Sequence, residues 1–78
     1  MKVLTQLQEE QVEFGNVKSF SQSGGHLNIV FNDFDALRLA ITKIANIVIR
    51  RRYLFDMQIE SKSCVLRLSQ DWYIIMAE

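Results

Sequence analysis

The stretch from residue 32 to residue 52 reads NDFDALRLAITKIANIVIRRR and constrains the fold more than any other part of the chain. Placed at about 100° per residue, its apolar side chains fall on one side of a helix and its polar side chains on the other. The apolar side comprises Phe34, Leu37, Ile41, Ile44, Ala45 and Val48. Ala40 and Ile47 widen this side at one edge and Ile49 at the other, while Leu39 stands among the polar residues. The stretch predicts one long amphipathic helix.

Both ends of this segment carry residues that are typical of helix termini. Asn32 or Asp33 can act as the N-cap, because either side chain can accept a hydrogen bond from a backbone N–H of the first turn. Asp35 adds negative charge near the positive end of the helix dipole. Arg50–Arg52 suit the negative end and can bind the last carbonyl groups. The sequence therefore predicts a helix that starts and stops close to these residues.

The residues before the helix predict two strands joined by a tight turn. Lys2–Gln11 places apolar residues at helical spacing, which predicts either a short helix or a frayed tail. Val12–Phe20 has the apolar content of an irregular strand that is bulged at Gly15. Paired glycines at residues 24–25 predict a turn, since glycine adopts positive φ without strain. His26–Phe31 shows the alternation of a half-buried strand.

The residues after the helix predict a second hairpin. Tyr53–Glu60 and Cys64–Ser69 each alternate in the manner of a strand, with a short turn at residues 61–63 between them. Trp72–Met76 is too short for its periodicity to distinguish a strand from one helical turn. The predicted fold class is α+β, a single-layer antiparallel sheet of about four strands in (α)ββαββ order with the long helix packed on one face. Residues 1–78 are expected to form a single domain.

The size and charge of the chain limit what it can do. A chain of 78 residues buries a modest fraction of its surface, so marginal stability or oligomerisation is expected. Nine basic residues balance nine acidic ones, and the formal net charge is zero. A neutral chain lacks the overall attraction to nucleic acids or anionic membranes that a basic protein has. Binding of either kind would need a local basic patch.

The single cysteine and the distribution of apolar residues bear on the compartment. Cys64 has no second cysteine to pair with, which excludes an intramolecular disulfide and fits a reducing compartment. No apolar run reaches the roughly 20 residues needed to cross a bilayer, and the first residues lack the apolar segment of a signal peptide. We therefore expect a cytoplasmic protein with no membrane partner.

Three short segments lie in the order found in a known family. They are FNDF at residues 31–34, TKIA at residues 42–45 and CVLRLS at residues 64–69. Together with the hairpins on either side of the helix, residues 12–69 resemble the pterin-4a-carbinolamine dehydratase family. The resemblance implies a ββαββ fold.

The histidines that carry the activity of that family are missing from this chain. The family has a histidine pair followed by proline just after the helix and another histidine after the following hairpin, and these bind the pterin and catalyse loss of water. The corresponding positions here are Arg52–Phe55 and Ser69–Asp71, and the chain has no proline. The resemblance therefore extends to the fold and not to dehydratase activity.

No residue pattern indicates catalysis, a cofactor or a metal. His26 is the only histidine and stands at a hairpin end, where an exposed structural residue is a simpler interpretation than a general base or a ligand. Cys64 is expected to be a small buried hydrophobe rather than a nucleophile. The glycine pair lacks the lysine and the helix start of a phosphate loop, and the carboxylates lack calcium-loop spacing. We predict no catalytic residue, no cofactor and no metal site.

Two sets of residues have alternative functional interpretations. Basic residues that could contact an anion or a nucleic-acid backbone are Arg50, Arg51, Arg52, Lys62 and Arg67, with Tyr53 at their edge. The structural alternative is that the arginines cap the helix and cover apolar neighbours with their stems. Apolar residues that could lie in an interface are Leu39, Ile47, Ile49, Trp72 and Tyr73. For the tryptophan and the tyrosine, the alternative is closure of a small core.

These observations give one preferred function and two alternatives. The preferred function is a non-catalytic interaction or oligomerisation module, most simply a homodimer and otherwise a partner of another protein, because the chain is small and rich in apolar residues. The first alternative is a nucleic-acid-binding module that uses Arg50–Arg52. The second alternative is a diverged dehydratase-like enzyme, which is disfavoured because the histidines for acid/base chemistry are missing.

Overall fold

The computed structural model describes residues 1–51 and 56–78, in which one helix and seven strands form. In chain order they are β1 (Val3–Leu7), β2 (Glu10–Phe14), β3 (Val17–Ser23), β4 (His26–Phe31), α1 (Phe34–Arg51), β5 (Met57–Glu60), β6 (Val65–Leu68) and β7 (Trp72–Ala77). The predicted α+β class and the predicted long helix are confirmed in this part of the chain. The segment for which strand or helical turn was left open lies in strand β7.

The strands form two antiparallel sheets rather than the single sheet predicted from the sequence. One sheet has the order β3-β4-β6-β5 and contains the two predicted hairpins. The other has the order β2-β1-β7 and is built from both ends of the chain. The predicted strand Tyr53–Glu60 is described only from Asp56 onwards, and β5 begins at Met57. The prediction of one four-stranded layer is therefore only partly right.

Strand β1 takes the place of the helix or frayed tail predicted for Lys2–Gln11. Its buried residues are Val3, Thr5 and Leu7, which recur at every second position. The sequence hides this alternation because a polar residue occupies the middle buried position. Thr5 Oγ1 donates a hydrogen bond to the carbonyl oxygen of Val12 at 2.9 Å, so the hydroxyl is satisfied inside the core.

Two-residue turns close the hairpins β1–β2 and β3–β4. Gly24 and Gly25 have φ angles of +61° and +78°, as a type I′ turn requires at both of its central positions. In the β1–β2 turn, Gln8 has a φ of +53°. Glutamine is not a typical turn residue, so the sequence does not indicate this hairpin.

Gly15 and Asn16 form a corner at which the chain leaves one sheet and enters the other. The segment Val12–Phe20 is consequently two strands in different sheets, rather than the single bulged strand predicted. Asn16 has a φ of +55°, and its side chain connects the corner to the start of the helix. Asn16 Nδ2 donates to Asp33 Oδ2 at 2.8 Å, and Asn32 Nδ2 donates to Asn16 Oδ1 at 2.8 Å.

Asp33 is the N-cap of helix α1. Its Oδ1 accepts a hydrogen bond from the backbone N–H of Ala36 at 2.8 Å, which satisfies one of the N–H groups that have no partner within the helix. The last described helical residue is Arg51, and the predicted end at Arg52 lies outside the described residues.

The helix turns a slightly different side to the core than the sequence predicts. Its buried residues are Leu37, Ala40, Ile44 and Ile47. Phe34 and Ala45, which were predicted on the apolar side, are exposed. The buried side is rotated towards Ala40 and Ile47 because the helix also packs on β2, a strand of the unpredicted sheet.

The core lies where the two sheets and the helix meet. Both sheets and the helix contribute to it, and its residues are Val3, Leu7, Val12, Phe14, Val17, Leu27, Ile29, Phe31, Leu37, Ala40, Ile44, Ile47, Leu66, Leu68 and Trp72. Phe14 packs edge to face on Phe31, with ring centroids 6.0 Å apart, and lies 6.4 Å from the ring of Trp72. The contact between Phe14 and Phe31 joins the two sheets, whereas the contact between Phe14 and Trp72 lies within the sheet β2-β1-β7.

Candidate interaction surface

The predicted basic patch is divided between different parts of the fold. Arg67 alternates with buried leucines on β6, so its side chain lies on the sheet face turned away from the core, where Nε donates to Asn28 Oδ1 at 2.9 Å. Lys62 lies in the turn between β5 and β6. Arg52 and Tyr53 lie outside the described residues. Among the described members of the patch, only the two arginines at the helix end lie together.

Those two arginines, Arg50 and Arg51, form ion pairs with the β1–β2 hairpin. Arg50 Nη2 lies 3.0 Å and Arg51 Nε lies 2.8 Å from Glu10 Oε1. Arg51 Nη1 also lies 3.9 Å from Glu9 Oε2. The Glu10 side chain is only 15% exposed, so solvent screens these pairs less than ordinary surface pairs. Two glutamates opposite two arginines leave little net positive charge for a phosphate, and they connect the helix end to the hairpin.

The turn between β5 and β6 is organised by the Glu60 carboxylate. Its Oε1 accepts the N–H of Lys62 at 3.2 Å, and its Oε2 accepts the N–H of Ser63 at 2.7 Å. Hydrogen bonds from the Ser63 side chain and backbone, and then from the Lys62 backbone, hold the pKa of Glu60 below its ordinary value against a smaller opposing effect of desolvation. This carboxylate therefore serves the turn.

His26 and Cys64 both have local hydrogen-bond partners. His26 Nδ1 lies 3.0 Å from the carbonyl oxygen of Gly24. A carbonyl oxygen can only accept, so Nδ1 is the donor of this hydrogen bond. Cys64 is half-buried at the end of the β5–β6 turn with a φ of +55°, and its Sγ donates to the Ser61 carbonyl oxygen at 3.8 Å. Neither contact is the pairing with a carboxylate or a base that activates these groups in catalysis.

An open polar hollow of about 620 Å³ lies at the ends of two hairpins. It is lined by Gly24, Gly25, His26, Asp56, Ser69, Gln70 and Asp71. Ser69 Oγ donates to Asp71 Oδ2 at 3.4 Å. Sequence reasoning did not bring these residues together. Within residues 1–51 and 56–78, no group of three or more histidine, cysteine, aspartate or glutamate side chains could hold a metal ion.

The five residues proposed for an interface separate into buried and exposed positions. Ile47 and Trp72 belong to the core, so they are not available at the surface of this chain. Leu39 and Ile49 are exposed on the helix, and Tyr73 is exposed on β7. The structure adds two residues of β7 that the sequence did not single out, Ile75 and Met76. The sequence signal for these two residues is the apolar run in which they lie. One face of a sheet can bury only every second residue of such a run, so the others are exposed.

Strand β7 is one of the two edge strands of its sheet and is apolar on both faces. Trp72 is fully buried and Ile74 packs partly against the core, whereas Tyr73, Ile75 and Met76 are 49%, 44% and 50% exposed. The β1–β7 register shifts between Leu4 and Thr5, which leaves Ile75 without a partner opposite it. We call the three exposed residues the β7 patch.

The other edge strands of the described sheets carry charged residues. Glu10 and Glu13 are on β2, Lys18 is on β3 and Glu60 is on β5. No charged residue occurs between Trp72 and Ala77. Charges on edge strands oppose pairing with a further strand, so β7 is the edge that lacks this protection.

Comparisons of the chain with protein-family models, curated proteins and solved structures gave no match. In the described part of the chain, no helix combines the length and the apolar character needed to span a bilayer.

Proposed function

We propose that this chain is a non-catalytic interaction module that associates with itself, most simply as a dimer. The observation that carries the proposal is the β7 patch, because three large apolar side chains lie on an uncharged edge strand. A strand edge offers backbone hydrogen bonds as well as apolar surface, and another strand can use both. The lone cysteine supports action in the cytoplasm.

The nucleic-acid alternative has weaker support. It relies on Arg50 and Arg51, whose guanidinium groups already lie against Glu9 and Glu10. The zero formal net charge supplies no long-range attraction to phosphates. A dehydratase-like enzyme is supported least, since the sequence has no histidine where the family that it resembles has its catalytic ones.

The test is the mass of the protein in solution as a function of concentration. Sedimentation equilibrium or light scattering from a few to several hundred micromolar should show the mass rising from one chain towards two. A mass of one chain that does not change over this range would refute the proposal. Retention on a nucleic-acid column that weakens steeply with salt would instead favour the nucleic-acid alternative.

A further inference from the structure

We infer that the partner at the β7 patch is a second copy of this chain, which adds its own β7 antiparallel to the first across a two-fold axis. The two sheets β2-β1-β7 would then join into one continuous sheet. The inference rests on the proposed function, because it specifies how the β7 strands of two chains would pair in the association proposed there.

The backbone of β7 is available over its second half. Lys2 and Glu78 exchange both of their backbone hydrogen bonds, at 3.1 Å and 2.8 Å. Because bonded and non-bonded pairs alternate in an antiparallel ladder, the adjacent pair Val3–Ala77 is a non-bonded one. The N–H and C=O of Ala77 therefore point away from β1, towards the open edge.

At the start of the same edge, the backbone of Trp72 already has a partner. The side-chain amide of Gln22 donates to the carbonyl oxygen of Trp72 at 3.1 Å, from the end of the neighbouring sheet. Within residues 1–51 and 56–78, no strand pairs with β7 on the side opposite β1. The segment that can receive another strand is consequently Ile74–Ala77.

The charge pattern favours a second copy over a foreign strand. In a two-fold pair, residues close to the axis meet the same few residues of the partner, so Ile75 and Met76 meet only apolar side chains. The chain has no formal net charge, so two copies do not repel each other over long distances. Next to Met76, a small hollow is lined by Lys2, Glu13 and Glu78, and the lysine offsets part of the charge of the two glutamates.

The size of the patch predicts a weak dimer. Three side chains that are about half exposed and a few residues of strand edge cover less than the roughly 800 Å² per partner of a standard interface. We therefore expect dissociation in the range of tens to hundreds of micromolar, with rapid exchange between monomer and dimer.

The test compares two identical substitutions at exposed isoleucines. Ile75→Lys places a charge on the β7 edge, whereas Ile49→Lys places the same charge on the helix, where the isoleucine is 78% exposed. The wild type and Ile49→Lys should dimerise alike, and Ile75→Lys should dimerise at least about tenfold more weakly. Circular dichroism of all three proteins checks that each is folded.

The outcomes separate this inference from the proposed function. If Ile75→Lys dimerises as strongly as the wild type, or if Ile49→Lys abolishes the dimer instead, pairing at β7 is wrong. Self-association would still stand in either case. A monomeric wild type would overturn both.

A measurement on the wild type covers the case in which Ile75→Lys does not fold. The backbone amide of Ala77 should exchange with deuterium more slowly as the protein concentration rises, because dimerisation buries it. An exchange rate that does not change while the mass doubles would exclude β7 as the interface.

Discussion

Two isoleucines of helix α1 offer a sharp test of which side of the helix belongs to the core. Ile44 is fully buried, whereas Ile49, five positions further along, is 78% exposed. Both substitutions, Ile44→Ala and Ile49→Ala, replace a β-branched residue by the best helix former, so the gain in helix propensity is similar and amounts to about a few tenths of a kcal/mol. The difference between the two variants therefore reports burial.

The expected magnitudes are well separated. Ile44→Ala removes buried methyl and methylene groups and leaves a cavity, so the free energy of unfolding should fall by about 2–4 kcal/mol. For a domain of this size, that loss lowers the Tm by about 10–25 °C. Ile49→Ala should change the free energy of unfolding by no more than about 0.5 kcal/mol.

Thermal and urea unfolding followed by circular dichroism measures both variants. A low protein concentration keeps association from contributing to the stability. Equal losses in the two variants would show that the helix is rotated about its axis relative to the arrangement described above. Ile49 would then not lie outside the core. Ile49→Lys could in that case not serve as the control for Ile75→Lys in the β7 patch.

Two further predictions concern carboxylates with defined hydrogen bonds. Asp33→Ala removes the N-cap and the bond to Asn16, so it should lower the free energy of unfolding by about 1–3 kcal/mol. The control Asp35→Ala changes a side chain that is 87% exposed and should lower the free energy of unfolding by less than about 1 kcal/mol. Similar losses for the two variants on urea unfolding would contradict the capping role. Ser63→Ala should raise the pKa of Glu60 towards its ordinary value, because the Ser63 side chain is the largest cause of the lowered pKa. The pKa of Glu60 is lower in the folded state than in the unfolded state. The contribution of Glu60 to stability is therefore present above its unfolded-state pKa and is lost as the pH falls through its folded-state pKa. An NMR titration that gives the same Glu60 pKa in the wild type and in Ser63→Ala would argue against the role of the Ser63 side chain.

The parts of the fold that the sequence predicted are those whose pattern is local. The helix has a regular apolar side and an aspartate that caps it, so its existence and its start could be predicted. Strand β4 alternates buried and half-buried residues over its whole length, as the sequence indicated. In both cases the pattern within a dozen or so residues carries the information.

The parts that were missed depend on contacts between distant residues. Thr5 can occupy a core position only because Val12 supplies an acceptor for its hydroxyl, and no local pattern shows that. Asn16 with a positive φ turns the chain between sheets because Asn32 and Asp33 hold its side chain. The side of the helix that faces the core was mispredicted for the same reason. The helix packs on β2, and the sequence did not distinguish β2 from β3.

The candidate sites show the same limit. The sequence placed Arg50 and Arg51 next to each other, but the glutamates that face them lie about forty residues away on a hairpin whose turn has no typical turn residue. The apolar run of β7 was visible, but which of its residues are exposed depends on its place at a sheet edge. The sequence therefore predicted the same role for Trp72 and Tyr73, although the tryptophan is buried and the tyrosine is half exposed.

The β1–β2 hairpin connects these two surfaces physically. As a strand, β1 pairs with one side of β7 and leaves the opposite side as an edge that presents Tyr73, Ile75 and Met76. Through its turn and β2, the same hairpin brings acidic side chains to the arginines at the helix end. The β1–β2 hairpin thus lowers the positive potential that binding of a phosphate would need. The same hairpin supports strand β7, which the strand of a second chain could extend. The preference for self-association over nucleic-acid binding follows from how the two ends of the chain pair.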